Sequence, residues 1–458
     1  MTTPPPTGAF TEVAMPMHHA PRRVHRGRPR PLRRAGRLLR MLGPGLITGA
    51  ADDDPSGIGT YSQSGAAFGP AQLWLALYML PLVIVVQEMC GRIGLVTGHG
   101  IAGVARRHYG RPVLGVAVAL LFAANTINVG ADLGAMAESV RQLVPGAPPA
   151  LFLPLVAAFA LGIVALEVFV PYRLYARVLK FLTLSLFAYL VAGILIRPDW
   201  GRLLLATLIP SIQPTPAFLA LMVALLGTTI SPYLFFWQAS EEVEETELRH
   251  RQDRGVDAPR QRLALAKELR ALRFDTVFGL LAASVTFWFI VMTTGSTLHA
   301  HGITTIQSAN EAAAALEPLA GPFARQLFAL GIVGTGLLAV PVLAGSAAYG
   351  IAEVFGWREG LGQTVGHARG FYAVIALSTL VGMALTFAGV NPIAALVYAA
   401  VINGIVAVPL LALILLIANN RAILGKHTNG RLSNVVGILT VALMAVAAVV
   451  TVVSLARG

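Results

Sequence analysis

Three consecutive carboxylates, Asp52, Asp53 and Asp54, followed by Pro55, Ser56 and Gly57, stand inside a run that is otherwise apolar enough to cross a bilayer. Each ionised side chain at membrane depth costs roughly 2.5–3.5 kcal/mol on insertion scales, so such a cluster is a functional hypothesis by default. Pro55 disfavours helical geometry at Asp54, and Gly57 and Gly59 weaken the helix beyond it, so the backbone is expected to unwind there. Unwound backbone at that depth must face protein or a water-filled cavity. Freed carbonyls, one of the carboxylates and the Ser56 hydroxyl would form an oxygen-rich site suited to a hard cation. Asp53 is either a second carboxylate of that site or part of its aqueous vestibule.

A second interruption, Leu226-Gly227-Thr228-Thr229-Ile230-Ser231-Pro232-Tyr233, sets a proline beside three hydroxyl side chains. It opens the second half of the chain as Asp54-Pro55 opens the first. Corresponding broken helices are the sequence signature of a transporter site at an inverted-repeat interface. Asp132, near the middle of the third span, is a candidate for an ion path together with Ser56 and Tyr233. Gln87, Glu88, Asn125, Asn128, Glu138 and Asn403 are also polar within apolar runs.

The elements that must carry these residues can be read from composition. The chain has 458 residues, 56% hydrophobic and 12% charged, with a mean hydropathy of +0.70, which excludes a soluble globular protein. A spanning helix needs roughly 20 apolar residues, and such runs lie near 44–67, 72–95, 113–140, 150–169, 178–196, 217–239, 275–297, 324–352, 371–389, 391–417 and 434–455. With the arginine-rich segment 1–42 placed inside as a disordered cytoplasmic tail, 29 of the 34 Lys and Arg residues fall on the inner side. That asymmetry predicts a multi-pass protein of a bacterial-type cytoplasmic membrane, N-terminus inside and C-terminus outside. The net charge of +12 is then a topology signal and not a nucleic-acid footprint. The charged insert 241–273 is expected to be a solvated cytoplasmic segment between repeat one (about 43–200) and repeat two (about 213–418), with an extra helix at about 433–455. Cys90 stands alone and implies no disulfide framework.

These residues resemble the Nramp divalent metal transporters. The likeness rests on Gly43-Pro44-Gly45-Leu46, on Asp54-Pro55-Ser56-Gly57 where the family has D-P-G-N, and on Arg92-Ile93-Gly94-Leu95-Val96-Thr97-Gly98 for R-L-G-V-V-T-G. Ala131-Asp132-Leu133 stands for part of T-D-L-A-E, Tyr172-Arg173 precedes span five, and Asn420 to Gly425 is similar to S-N-R-K-L-M-G. The resemblance implies an all-α, leucine-transporter-type fold of two inverted five-helix repeats plus an eleventh helix, with helices one and six broken. It also implies alternating access around a metal held between them, with Asp54 as the metal-binding aspartate, with Thr228, Ser231 and freed carbonyls near Ala51 and Gly57 as further candidate ligands, and with no cofactor beyond the transported ion.

Gly57 replaces the family's metal-binding Asn, Ser231 its Met, Tyr233 the following His, Thr228 a carbonyl-donating Ala, and Ala135 the glutamate of T-D-L-A-E. Without the thioether, selectivity is expected to drift towards hard ions such as Mg²⁺, and also Mn²⁺, as in the family's magnesium-transporting branch, with weak proton coupling or none. The alternatives are a proton-coupled Mn²⁺ or Fe²⁺ importer and, more distantly, an amino-acid carrier of the same architecture, whose carboxylate substrate three aspartates would repel. An intramembrane Mg²⁺-dependent phosphoryl-transfer enzyme would need more carboxylates at helical spacing than the chain supplies, so no enzyme is expected.

Overall fold

The computed structural model describes residues 44–170, 174, 186–252 and 258–457. Every regular element among them is helical. Proline punctuation sets the starts. α1 (Pro44–Asp52) stops at Asp53, and α2 (Pro55–Phe68) begins with Asp54 as its N-cap and Pro55 at the first helical position, the place where a missing N–H costs nothing. α3 (Trp74–Thr97) ends on Gly98 in the left-handed region, φ 66°, a conformation that favours glycine. Then come α4 (Ile101–His108), α5 (Arg111–Arg141), α6 (Phe152–Phe169), α7 (Phe187–Leu195) and α8 (Trp200–Leu208).

The second half repeats the pattern. α9 (Pro216–Thr229) is capped by the Thr215 hydroxyl, which accepts from Phe218 N, and α10 (Pro232–Gln252) restarts after Ile230 and Ser231. α11 (Ala258–Thr297), α12 (Ala324–Phe355), α13 (Arg369–Leu385), α14 (Pro392–Asn419) and α15 (Arg431–Arg457) complete the chain. Nine helices among the described residues, counting α9 and α10 as one, are long and apolar enough to cross a membrane. With α1/α2 and α7, each of the eleven expected runs has a helical counterpart. Tyr172, Arg173, Arg177 and Lys180, the first part of the fifth run and the tail 1–42 lie outside the described residues.

The broken helices sit against complementary partners: α11 packs along α1 and α2, α10 along α3, α12 along α5, and α9 along α14. Small residues permit the closest approaches. A β-carbon on Gly227 would meet the Ala400 carbonyl oxygen at 2.1 Å and Gly404 N at 2.3 Å. Gly227→Ala is therefore expected to destabilise by about 1–3 kcal/mol through overpacking of backbone on backbone, read as a lower unfolding temperature of the detergent-solubilised protein; an unchanged temperature would show that α9 and α14 separate freely.

The insert 241–273 differs from the solvated segment expected of it. α10 runs through its acidic start, burying Glu241 and Glu242, and α11 runs through its basic end. Glu244 accepts from Tyr349 Oη at 2.6 Å, Leu361 N at 3.0 Å and Gly362 N at 2.7 Å. The helical acids thus satisfy loop N–H groups after α12 instead of facing water. Burial, with Glu353, Glu244 and Glu247 nearby, pushes the neighbouring Glu359 carboxyl up to about 9. Glu88 and Glu138 have structural partners: Glu88 pairs with Arg92 at 3.3 Å and Arg273 at 3.1 Å, and Glu138 with Arg141 at 2.7 Å.

Candidate metal-binding site

The two breaks lie together in the protein interior. Asp54 is 1% exposed, and its Oδ1 accepts from Gly57 N at 2.6 Å and from Ser56 Oγ at 2.7 Å. That is a helix cap, and it confines the unwinding to Asp53 and Asp54. Gly57 accordingly lies in the first turn of α2. It contributes an N–H and the space of an absent side chain, not the freed carbonyl expected from the sequence.

That space is bounded by oxygen. A β-carbon on Gly57 would stand 3.1 Å from the Asp52 carbonyl oxygen, 3.3 Å from Thr228 Oγ1 and 3.4 Å from Asp54 Oδ1. The Thr228 hydroxyl, at the C-terminal end of α9, is 3.5 Å from Ser56 Oγ. Two of the three boundary oxygens come from the first break and one from the second, so the site exists only while the breaks face each other.

Other candidates are placed differently. The Ala51 carbonyl accepts the Tyr233 hydroxyl at 2.7 Å, so the main-chain oxygen bordering the Gly57 space is that of Asp52, one residue later. Tyr233 thereby ties the end of α1 to the start of α10. The Ser231 hydroxyl donates within hydrogen-bond distance of both Gly227 O, 2.7 Å, and Thr228 O, 2.6 Å. Its proton satisfies carbonyls freed at the end of α9, and its oxygen lone pairs stay available. Asp53, buried at the same break, faces the Thr286 hydroxyl of α11.

Asp132 is fully buried on α5. Neither of its oxygens has a close hydrogen-bond partner among the described residues, and the Asp54 carboxylate and the Ser56 amide are its neighbours. Among the described residues, no three His, Cys, Asp or Glu side chains cluster as a metal cage. The chemistry available is the Asp54 carboxylate among neutral oxygens, with the buried carboxylates of Asp52, Asp53 and Asp132 nearby.

Two participants escaped selection from sequence. Asn128 Nδ2 donates to Asp54 Oδ2 at 2.9 Å, and Asn403 Nδ2 donates to Asn128 Oδ1 at 3.3 Å. Both are buried. Their signal was a carboxamide in mid-span, but nothing in the spacing tells which helix face they occupy. Met136, on the same helix, directs its sulfur at Gly336 of α12, beside Pro55.

Comparison with known proteins agrees with this architecture. The divalent metal cation transporter MntH of Caldanaerobacter subterraneus subsp. tengcongensis is 23% identical over 414 residues, 88% of this chain and 90% of that protein. A manganese transporter of Eremococcus coleocola superposes with a TM-score of 0.69 at 17% identity, covering 94% of this chain and 89% of the other. MhsT, solved with L-phenylalanine, superposes at 0.57 with 13% identity, covering 90% and 97%. The last two establish the fold, a leucine-transporter-type arrangement with helices one and six broken. The family model described as natural resistance-associated macrophage protein-like matches residues 45–454, and the chain belongs to that family, Nramp.

Proposed function

We propose that the chain is a carrier, not an enzyme, which moves a divalent metal cation inward across the cytoplasmic membrane by alternating access. The observation that carries this reading is the meeting of the Asp52 carbonyl, Asp54 Oδ1 and Thr228 Oγ1 around the empty side-chain position of Gly57. Asp54 supplies the charge that recognises the cation. Thr228, the Asp52 carbonyl and the free lone pairs of Ser231 supply neutral oxygens, while Ser56 and Tyr233 hold the two breaks in place. The names borne by its relatives, a divalent metal cation transporter and a manganese transporter, support the substrate class. The repeats run from about 43 to 200 and from about 213 to 418, with the extra helix at about 433–455, and rocking of one bundle against the rest exposes the site to each side in turn.

The cargo in this reading is a hard ion, Mg²⁺ and also Mn²⁺. The groups around Gly57 are oxygens, which suit such ions. Transport is weakly coupled to protons or not coupled. A second reading, a proton-coupled Mn²⁺ or Fe²⁺ importer, draws on the unpartnered Asp132 carboxylate near Asp54 and on the relatives' names. Proteoliposomes holding a pH-sensitive dye separate the two. The expected result is that Mg²⁺ and Mn²⁺ compete for uptake, that an imposed proton gradient leaves the initial rate unchanged, and that the lumen does not acidify. Acidification in step with Mn²⁺ entry, with Mg²⁺ excluded, would establish the second reading instead.

A further inference from the structure

Asp54 Oδ1 is occupied by the cap of α2, so Oδ2 is the freer oxygen of the carboxylate. Among the described residues its hydrogen-bond partner is Asn128 Nδ2 on α5. Asn128 is in turn held by Asn403 Nδ2 on α14. Both amides donate in the same sense, towards the carboxylate, and the relay ends on Asn403 Oδ1, which is buried and has no partner among the described residues. Asn128 is 0% exposed and Asn403 1%.

This orientation suits a bare carboxylate. A cation on Asp54 Oδ2 reverses the local requirement, because an N–H dipole aimed at a cation is repulsive and a carboxamide oxygen is attractive. The terminal torsion of Asn is broad and roughly two-fold, so the two ends of the amide exchange with little change of shape. Asn403 can turn with it, since its Oδ1 forms no bond that turning would break.

We propose that Asn128 is itself a cation-binding residue: as the ion settles on Asp54, the amides of Asn128 and Asn403 turn over together, so that Asn128 Oδ1 faces the ion and Asn128 Nδ2 donates to Asn403 Oδ1. The hydrogen bond between them survives with its direction reversed. Asn403 is then a positioning residue, reaching the ion through Asn128. This inference rests on the reading of Asp54 as the cation's carboxylate. It makes α5 a direct party to recognition and α14 an indirect one, adding a hard, neutral oxygen beside Asp54 Oδ2.

The test is calorimetric titration of the purified, detergent-solubilised full chain with Mg²⁺ and with Cd²⁺. Asn128→Leu is expected to weaken Mg²⁺ binding by roughly 10–100-fold, and Asn403→Leu by about 10-fold, the range found for groups that orient metal ligands. The double variant should bind no more weakly than Asn128→Leu alone, because both changes remove the same ligand. Asn128→Met, which offers a thioether in place of the carboxamide, should raise the preference for Cd²⁺ over Mg²⁺ by roughly tenfold, as a soft donor favours a soft ion. A purely structural role would not move that ratio.

Native Mg²⁺ affinity in folded Asn128→Leu, or an unchanged ratio in Asn128→Met, would overturn the proposal. Should Asn128→Leu fail to elute as a folded species, Asn128→Asp keeps the volume and must bind Mg²⁺ more tightly; equal or weaker binding overturns it as well. Asp54→Ala is the control. If it abolishes binding while the Asn128 variants bind normally, only the amide proposal falls; if it binds normally, the site assignment falls first.

Discussion

Asp54→Ala is expected to reduce divalent-cation uptake by about two orders of magnitude or more, a larger loss than the 10–100-fold typical of groups that merely orient ligands. The carboxylate is the cation's formal counter-charge in the proposed site, and its removal leaves only neutral oxygens bordering the Gly57 space. Two other effects partly cancel: losing the cap of α2 costs about 1 kcal/mol, while removing a carboxylate that is 1% exposed relieves a desolvation penalty. The folded fraction should therefore stay close to native. Asp54→Asn separates the roles, since it keeps an acceptor for Gly57 N and Ser56 Oγ without the charge. Initial rates of Mg²⁺ and Mn²⁺ entry into proteoliposomes should be lost in both variants. Saturable uptake at the native rate in either would place the cation elsewhere.

Gly57→Val should be nearly as severe, for the opposite reason. The backbone there is helical, so a side chain is not opposed by conformation. Its β-carbon would sit 3.1–3.4 Å from the three oxygens, and the two methyl groups beyond it would fill the volume proposed for the ion and its waters. The expected outcome is uptake reduced by roughly 100-fold or more, beyond the 10–100-fold typical of groups that orient ligands, with a destabilisation of about 1–3 kcal/mol from overpacking against those oxygens. Gly57→Ala, which adds one methyl, should fall between. Undiminished uptake in the valine variant would mean that the ion does not pass by Gly57.

Much of this architecture was legible before any coordinates, because proline acts locally. Pro55 and Pro232 lack an N–H and constrain the residue before them, and the helices break where those residues stand. The side on which each polar group emerges was not legible. Asp52, Asp53 and Asp54 are adjacent in sequence, yet Asp54 caps α2 and Asp53 turns to Thr286 of α11; packing of α11 against α1 and α2 decides between them. Gly57 was expected to unwind and does not, since one carboxylate oxygen satisfies the first amides of α2. Asn128 and Asn403 are 275 residues apart, and no local rule pairs them. The acidic start of the 241–273 insert looked solvated because its charge was counted without the loop N–H groups that Glu244 binds.

The described part of α1, Pro44–Asp52, leads directly into the first break. It is pinned at two places, where Thr48 Oγ1 donates to Gln238 Oε1 at 2.6 Å and where Ala51 O receives the Tyr233 hydroxyl at 2.7 Å. Between them Gly49 presses so closely on Gly279 that an added β-carbon would come within 2.4 Å of its backbone. An opening that moved this segment away from α10 and α11 would have to break those hydrogen bonds and part the two glycines. The segment's backbone amides should accordingly exchange with deuterium as one cooperative block.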